Sequence, residues 1–349
     1  MNVEFIEALE DIEKEKGVSK EVILDALESA LISSYKKNFG SSQNVEIEID
    51  KSTGKVNVYA KKTVVEQVED DLMEVDIEEA KEIDEKYQVG DIVNIEITPK
   101  NFGRIAAQTA KQVVIQRIKD AERDVIFDEF INRENEIITG TVQRMNNNNV
   151  YIDLGKTEGI LPLTEHIEGE VYKQGDRIKL FILEVKKTTK GPQIILSRSH
   201  PGLVKRLFEL EVPEIHEGIV DIYAISREAG SRTKIAVHSK DPNVDPVGAC
   251  VGFKGSRVKA IVDELNGEKI DIIIWSKNIE EFIANSLSPS KVIKVEVYEK
   301  EKSALVVVPD YQLSLAIGKE GQNARLAAKL TAWKIDIKSE SQYDESLEL

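Results

Sequence analysis

Hydrophobic residues recur every three or four positions at the start of the chain, which is the spacing of an amphipathic helix. One such stripe covers residues 5–12 and ends at Gly17, and a second covers residues 22–31. Ser19 suits the N-cap of the second helix, and Gly40 suits its C-terminal end. The pattern therefore predicts a pair of helices at the N-terminus.

Beyond these helices the period of the hydrophobic pattern changes to two, as expected of strands. Residues 45–49 and 56–60 predict a hairpin, and residues 92–97 predict a further strand after an acidic segment over 66–91. A long helix follows, predicted over residues 101–134. A helix of that length exceeds what one small core can cover, so we expect it to connect this domain to the next.

A run of short strands at regular spacing follows the long helix and is typical of a small β-barrel. The spacing fits a five-stranded OB-fold. The predicted strands are residues 138–142, 150–155, 158–161, 176–182 and 194–198.

The C-terminal part of the chain contains an internal repeat with an offset of about 66 residues. Each copy predicts the order helix, strand, strand, helix, loop, helix, strand. The closing strands, residues 269–272 and 334–337, are nearly identical in sequence. Two copies of a whole unit indicate two tandem domains of one fold.

Each copy carries a Gly-x-x-Gly loop between two helices, with Gly252 and Gly255 in the first and Gly318 and Gly321 in the second. Glycine lets a backbone approach a ligand closely and adopt turns closed to other residues. The loop also opens a helix, whose free N–H groups favour an anion. The glycines could instead serve only as helix caps, but that explanation does not account for the duplicated surroundings.

Both copies resemble KH domains of the type with αββααβ order, which clamp single-stranded RNA on this loop. We expect an aspartate at Gly252 or Gly318 to repel phosphate without unfolding the domain. The residues that this resemblance, together with the basic character of the loops, predicts to bind RNA are Gly252, Phe253, Lys254, Gly255, Arg257, Lys259, Gly318, Lys319, Glu320, Gly321, Asn323 and Arg325.

The barrel resembles the RNA-binding barrel of the ribosomal protein S-one type. Two positions depart from that family, which usually has an aromatic residue where this chain has Asn148 and often a histidine where it has Pro162. Tyr151 alone remains of the expected stacking surface. Because each stacked base contributes about 1–3 kcal/mol, the barrel is predicted to contribute little RNA affinity.

The net charge of −16 is unevenly distributed and at first argues against nucleic-acid binding. Residues 1–130 carry 17 basic and 30 acidic side chains, whereas the remainder is close to neutral with 30 and 33. RNA binding must therefore come from local basic patches and be sensitive to salt. The acidic N-terminal region favours a basic protein partner.

Cofactor chemistry and membrane insertion are not indicated by the sequence. The single cysteine, Cys250, excludes a disulfide framework and a multi-cysteine zinc site, and it suits a small core position. The four histidines show no metal-ligand or catalytic spacing. No apolar run approaches the roughly 20 residues of a membrane span. The acidic N-terminus lacks the features of a signal peptide, so we expect a cytoplasmic protein without a cofactor.

Taken together, the chain is similar to the NusA family of bacterial transcription elongation, termination and antitermination factors. The longest local matches are residues 102–113 in the long helix, 196–201 at the barrel exit and 241–252 before the first loop. This resemblance implies a multidomain α+β protein with an N-terminal α/β domain and connecting helix, an OB-fold barrel and two KH domains. The predicted domains are residues 1–134, 135–199, 200–276 and 277–349, the last with an acidic tail.

The resemblance also implies the function and partners. The N-terminal domain would dock on the RNA polymerase core near the RNA exit channel, and the other domains would hold nascent single-stranded RNA. Other elongation and antitermination factors would join, and the protein itself would be a monomer. Lys37, Arg104 and Lys111 are candidates for contact with the exiting RNA, although an exposed basic helix face can equally be solvated.

Two other function classes remain open at this point. An exoribonuclease also uses KH and barrel modules, but in the opposite order and behind catalytic domains for which this chain has no room. An RNA chaperone or decay factor that acts without polymerase would be built from the same modules.

Overall fold

The computed structural model describes residues 3–39, 44–146 and 148–347. Gly40, predicted to end the second helix, lies outside the described residues. The chain forms two compact units, residues 1–126 and 127–349. Within the described residues, no helix is both long and apolar enough to cross a membrane.

In its described residues the first unit combines four helices with a four-stranded sheet, and the periodicity predicts three of these helices and three of these strands. Strand β2 pairs antiparallel with β1 and β4 and parallel with the short β3. In chain order the elements are α1 (Val3–Lys16), α2 (Lys20–Phe39), β1 (Val45–Ile49), β2 (Val56–Val65), β3 (Glu74–Asp76), α3 (Ile77–Ile83), β4 (Ile92–Glu96) and α4 (Phe102–Ile131), which continues into the second unit.

The hydrophobic pattern does not predict β3 and α3 of this unit. Both elements lie in the acidic segment over residues 66–91. They form a small lobe around a core of Val64, Val75, Ala80 and Val93. Asp76 caps α3 through its carboxylate, which accepts from the N–H of Glu78. Acidic side chains weaken the hydrophobic periodicity of this segment. One short helix also needs few apolar residues to cover its small core, so little of the pattern remains.

The second unit begins with a closed five-stranded barrel in the order β5-β6-β7-β9-β8. The predicted barrel is therefore confirmed. Its strands are β5 (Ile137–Asn146), β6 (Asn149–Asp153), β7 (Glu158–Leu161), β8 (Arg177–Thr188) and β9 (Gly191–Ser197).

The two αββααβ units that follow confirm the predicted repeat. In each, the first two strands are antiparallel and the third strand pairs parallel with the second at the sheet edge. The first KH unit contains α5 (Pro201–Glu211), α6 (Pro213–His216), β10 (Val220–Glu228), β11 (Arg232–Ser239), α7 (Pro246–Val251), α8 (Ser256–Glu264) and β12 (Lys269–Ile274). The second contains α9 (Ile279–Ser286), β13 (Lys294–Tyr298), β14 (Ser303–Val308), α10 (Leu313–Ile317), α11 (Gln322–Thr331) and β15 (Lys334–Ser339), and α12 (Glu340–Leu347) lies in the acidic tail.

A buried ionic network joins the barrel to the first KH unit. Arg198, only 1% exposed, pairs with Glu170 of the barrel and with Glu264 of α8. Its guanidinium also donates to the carbonyls of Lys179 (2.8 Å) and Glu264 (2.9 Å). The contacts with Glu170 and Lys179 hold Arg198 in the barrel, and those with Glu264 join it to the first KH unit.

A second buried arginine continues this network. Arg227 pairs with Glu268, and both side chains are fully buried. Arg227 also donates to the carbonyls of Arg198 and His200, at 2.9 Å each. Burial alone would raise the pKa of Glu268, but the hydrogen bonds from Arg227 and Thr233 outweigh it and lower that pKa. This carboxylate therefore stabilises the fold at neutral pH and loses its contribution as the pH falls through its folded-state pKa.

The second KH unit covers the outer face of the first KH sheet. Ala236 and Ile273 of that sheet pack against Phe282 and Leu330 of the second unit. The sheet of the first unit is thus buried on both faces, because its other face packs on its own helices. The two KH units consequently have a fixed relative position.

We expect Arg198→Met to lower the free energy of unfolding by about 3–5 kcal/mol, because Glu170 would stay buried without its cation. Urea denaturation followed by tryptophan fluorescence measures this loss, since Trp275 and Trp333 both lie in the KH units. Arg144→Met removes an exposed pair with Glu158 and should cost about 1 kcal/mol or less. Similar losses for the two variants would contradict the role assigned to the junction.

Candidate nucleic-acid interface

The two glycine loops have nearly the same backbone conformation. The first glycine has φ 73° and ψ 176° at Gly252, and 78° and 172° at Gly318. Lys254 (φ 48°) and Glu320 (φ 54°) are both left-handed, as are Gly255 (φ 78°) and Gly321 (φ 74°). The repeat in sequence is therefore a repeat in geometry.

The two glycines of each loop have different physical roles. The φ and ψ values of Gly252 and Gly318 belong to a region that is essentially restricted to glycine. A Cβ at Gly252 would lie 2.7 Å from Cγ of Arg257, and one at Gly318 would lie 2.8 Å from the backbone nitrogen of Asn323. The expectation that aspartate at Gly252 or Gly318 leaves the fold intact is therefore wrong. A Cβ at Gly255 would meet no atom within 4 Å, so the obstacle to a side chain there is the left-handed backbone, which Asn and Asp tolerate better than other residues.

The loop side chains are presented to solvent. Phe253 is 81% exposed, and the Lys254 ammonium lies 5.4 Å from the centre of its ring. Lys254, Lys259 and Lys319 are exposed, and within the described residues none of them pairs with a carboxylate. An exposed ring beside unpaired cations can stack a base and bind a phosphate. The second loop carries Glu320 where the first carries Lys254, so the first loop is the more favourable phosphate site.

Arg257 and Asn323 are predicted to bind RNA, but in the structure their side chains support the loops by donating hydrogen bonds to backbone carbonyls. They occupy equivalent positions, five residues after the first glycine. Arg257 donates to the carbonyl of Ala249 (2.7 Å) and pairs with Glu214 on α6 (2.8 Å). Its aliphatic stem fills the space beside Gly252. We therefore assign Arg257 a positioning role.

Asn323 performs the same task in the second KH unit. It is 1% exposed, so it cannot reach an RNA strand. Its amide donates to the carbonyls of Ala316 and Leu287, both at 3.0 Å. Leu287 follows α9, the first helix of its unit, whereas Glu214 lies in α6, the second helix of the first KH unit. In both units this residue fastens the glycine loop to the helical segment that precedes the sheet.

Arg325 lies at the junction between the KH units. Its guanidinium pairs with Glu228 at the end of β10 (2.6 Å) and donates to the carbonyl of Glu320 (3.0 Å). Gln322 also donates to Glu228, at 2.8 Å. The second loop is thus held against the first KH unit, and Arg325 could bind phosphate only in competition with Glu228.

Tyr151 is half-buried on the barrel surface, and Arg144 covers its ring at 4.2 Å. Arg144 in turn pairs with Glu158 at 2.9 Å. The ring is therefore not freely available for stacking, which agrees with the small contribution predicted for the barrel.

Lys37, Arg104 and Lys111 are all exposed in the first unit. The end of α2 and the start of α4 are in contact through Tyr35 and Phe102, whose ring centres are 5.8 Å apart. Lys111 also borders an apolar cleft of about 440 Å³ between α1 and α4. Their contact with exiting RNA stays a prediction.

Within the described residues, no group of three His, Cys, Asp or Glu side chains is arranged to hold a metal ion. Burial raises the pKa of the Cys250 thiol to about 12, so it is a poor nucleophile. His200 caps α5 and stacks on Phe181 at 4.7 Å, which is a packing role.

Comparison with known protein families gives four consecutive matches. They are to the NusA N-terminal domain (residues 4–124), the S1 RNA binding domain (132–199), the NusA-like first KH domain (198–275) and the NusA-like second KH domain (279–345). The exact boundaries predicted from the sequence stay predictions.

Two curated relatives are similar over nearly the whole chain, and both are named transcription termination/antitermination protein NusA. The one from Halalkalibacterium halodurans is 61% identical over 345 residues, covering 99% of this chain and 90% of the relative. The one from Bacillus subtilis is 61% identical over 341 residues, covering 98% and 92%. Among solved structures, the N-terminal domain of NusA from B. subtilis is 56% identical and covers 35% of this chain and 99% of its own, with a TM-score of 0.33.

We expect Gly255→Asp and Gly321→Asp each to lower the affinity for single-stranded RNA about tenfold, because a carboxylate would face the phosphate. Both positions are left-handed, a conformation that Asp and Asn tolerate. Gly255→Asn and Gly321→Asn have the same shape without the charge and should bind within about threefold of the wild type. Titration with labelled RNA at low salt measures this difference. Wild-type affinity in the Asp variants would show that RNA binds somewhere other than the glycine loops.

We expect Arg257→Lys and Arg257→Ala to weaken RNA binding about threefold to tenfold without changing its salt dependence, because the loop loses its support and not a phosphate contact. The measurement is the slope of log affinity against log salt. Loss of a true phosphate contact would reduce that slope by about 0.7. Such a reduction would return Arg257 to the set of RNA-binding residues.

Proposed function

This chain belongs to the NusA family of transcription termination/antitermination proteins as an RNA-binding transcription factor, and we propose that it docks on RNA polymerase near the RNA exit channel while its KH loops hold the nascent transcript. There it modulates pausing, termination and antitermination. It acts in the cytoplasm as a monomer, together with other elongation and antitermination factors.

One observation carries the RNA-holding part of this proposal. Two loops of matching backbone geometry present unpaired lysines, Lys254 and Lys319, from units that pack rigidly on each other. Fixed spacing between two phosphate sites suits a strand that crosses both. The preorganisation reduces the entropy lost on binding.

The docking part of the proposal rests on the first unit. Most of the net negative charge of the protein lies there, and it contains the exposed apolar residues Ile83, Val89 and Ile92 in its acidic lobe. Charge and exposed apolar surface together favour a protein partner with basic character.

The other function classes are weaker. The curated relatives are named as transcription factors and not as enzymes. A polymerase-independent RNA chaperone would need no acidic docking unit. Co-elution with core polymerase separates that class from the proposed function.

We expect the double variant Arg104→Glu/Lys111→Glu to shorten pause lifetimes in an elongation assay while co-elution with core polymerase persists, because charge reversal repels RNA at the exit channel. Lys51→Glu, at an exposed lysine in the turn between β1 and β2, is the control and should pause like the wild type. Unchanged pausing in the double variant would return both residues to a solvated helix face. Failure of the wild type to co-elute with polymerase would contradict the docking proposal.

A further inference from the structure

Three aromatic side chains form a row across the sheet of the first KH unit. Tyr223 lies on β10, His238 on β11 and Trp275 directly after β12. The rings of Tyr223 and Trp275 are stacked, with an interplanar angle of 12° and centres 4.0 Å apart. His238 meets both rings edge-on, at 5.7 Å from Tyr223 and 5.4 Å from Trp275. Stacked and edge-to-face contacts of this kind hold the Tyr223 ring in one orientation.

The aromatic row lies on the outer face of the sheet, away from the glycine loops. Val237 packs into the core that the sheet forms with its own helices, α7 included. Its neighbours on the strand, Ala236 and His238, therefore point to the opposite face. Ala236 packs there on the second KH unit, and His238 contacts Tyr223 and Trp275. The row is thus part of a surface different from the one that carries the first glycine loop.

The second KH unit leaves Tyr223 uncovered. Ala236 and Ile273, which lie beneath that unit, are 0% and 2% exposed, whereas Tyr223 is 50% exposed. Trp275 covers one face of the Tyr223 ring, so the opposite face is available. An exposed ring that is already held in a stack can add another flat partner with little loss of side-chain entropy.

A cleft of about 390 Å³ adjoins Tyr223 at the edge of the sheet. Its lining includes Lys205 and Glu209 of α5, Ile215 of α6 and residues 220–223 of the edge strand β10. Trp275 reaches Tyr223 from the β12 side of the sheet, whereas the cleft lies on the β10 side. A flat group on the free face of Tyr223 would therefore extend the stack toward the cleft.

The charges around the cleft favour an anion. Both carboxylates of its lining are paired, Glu209 with Arg206 at 2.6 Å and Asp221 with Lys240 at 2.9 Å. Lys205 is exposed, and within the described part of the chain it forms no ion pair. One unpaired ammonium beside an exposed ring suits a phosphate and its base. A site for an arginine of a protein partner would instead need unpaired carboxylates.

We propose that this outer face of the first KH unit is a second binding site for single-stranded RNA, in which a base stacks on Tyr223 and Lys205 binds a phosphate of the same strand. Trp275 and His238 are positioning residues that hold the ring. The site can bind one segment of a transcript while the glycine loops hold another. The inference rests on the proposed function, because it takes RNA as the ligand.

Titration of the full chain with labelled, short oligo(A) RNA tests the stacking contact. The background carries Gly255→Asp and Gly321→Asp, so that the glycine loops bind weakly. There Tyr223→Ala should lower the remaining affinity about tenfold, and Tyr223→Phe, which keeps the ring, should stay within about threefold of the background. Tyr298→Ala removes a tyrosine of similar exposure (48%) from β13 and should leave the affinity unchanged.

Substitution of the exposed lysine tests the phosphate contact without disturbing the fold. In the same background Lys205→Glu should lower the affinity about tenfold, and Lys205→Gln should reduce the slope of log affinity against log salt by about 0.7. Lys300→Glu changes the net charge equally at an exposed lysine of the second KH unit and should bind like the background.

The outcomes distinguish this inference from the function on which it rests. Unchanged affinity in Tyr223→Ala and Lys205→Glu would overturn the second site and leave the glycine loops as the clamp. A loss in Tyr223→Ala without one in Lys205→Glu would indicate a folding defect, and an equal loss in Lys300→Glu would indicate general repulsion; either result would overturn it. Binding of AMP as tight as that of oligo(A) would show a free-nucleotide site and overturn the assignment to RNA. Absence of RNA binding by the wild-type chain would overturn the proposed function itself.

Discussion

The geometry of the RNA-binding half depends on two buried guanidinium groups, those of Arg198 and Arg227. Burying an arginine costs several kcal/mol unless its donors are satisfied. Here the acceptors are carboxylates and carbonyls on both sides of the junction between the barrel and the first KH unit. Rotation of one domain against the other would break the contacts of Arg198 with Glu264 and those of Arg227 with the carbonyls of Arg198 and His200, and would leave buried donors unsatisfied. A link that is short in sequence therefore behaves as part of a core, and the barrel and the KH unit form one body.

The second junction extends the same constraint to the glycine loops. The first KH sheet has apolar contacts on both faces, and Glu228 holds Arg325 and Gln322 next to the second loop. Because Arg257 and Asn323 fasten each loop to the helical segment that precedes the sheet of its unit, a loop cannot move without disturbing that segment. The spacing of the two loops is consequently a property of the folded core, and an RNA strand meets a surface that needs little further ordering.

The sequence predicted the elements well because their signals are local. The hydrophobic periods of two and of about three and a half residues, together with the repeat offset of about 66 residues, were sufficient to predict the barrel strands and the elements of both KH units. The roles of individual basic residues were harder to predict, because they depend on distant partners. Arg257 and Lys259 look alike in sequence, yet only Arg257 reaches Ala249 and Glu214. One signal was available: the equivalent of Arg257 in the second copy is Asn323, which carries no charge for a phosphate.

The acidic first unit and the basic loops affect RNA binding in opposite directions. With residues 1–130 carrying a net charge of −13, the first unit repels a transcript at low salt, but screening limits this repulsion to about 10 Å at an ionic strength of 0.1 M. Added salt weakens the phosphate contacts proposed for Lys254 and Lys319 and also removes the repulsion. The salt dependence measured on the whole chain is therefore a difference of two terms, and its slope understates the number of phosphate contacts. Docking the acidic unit on a basic surface of a protein partner would neutralise the repulsive term. The same loops would then bind RNA more tightly in the complex than in the free protein, with no change in their structure.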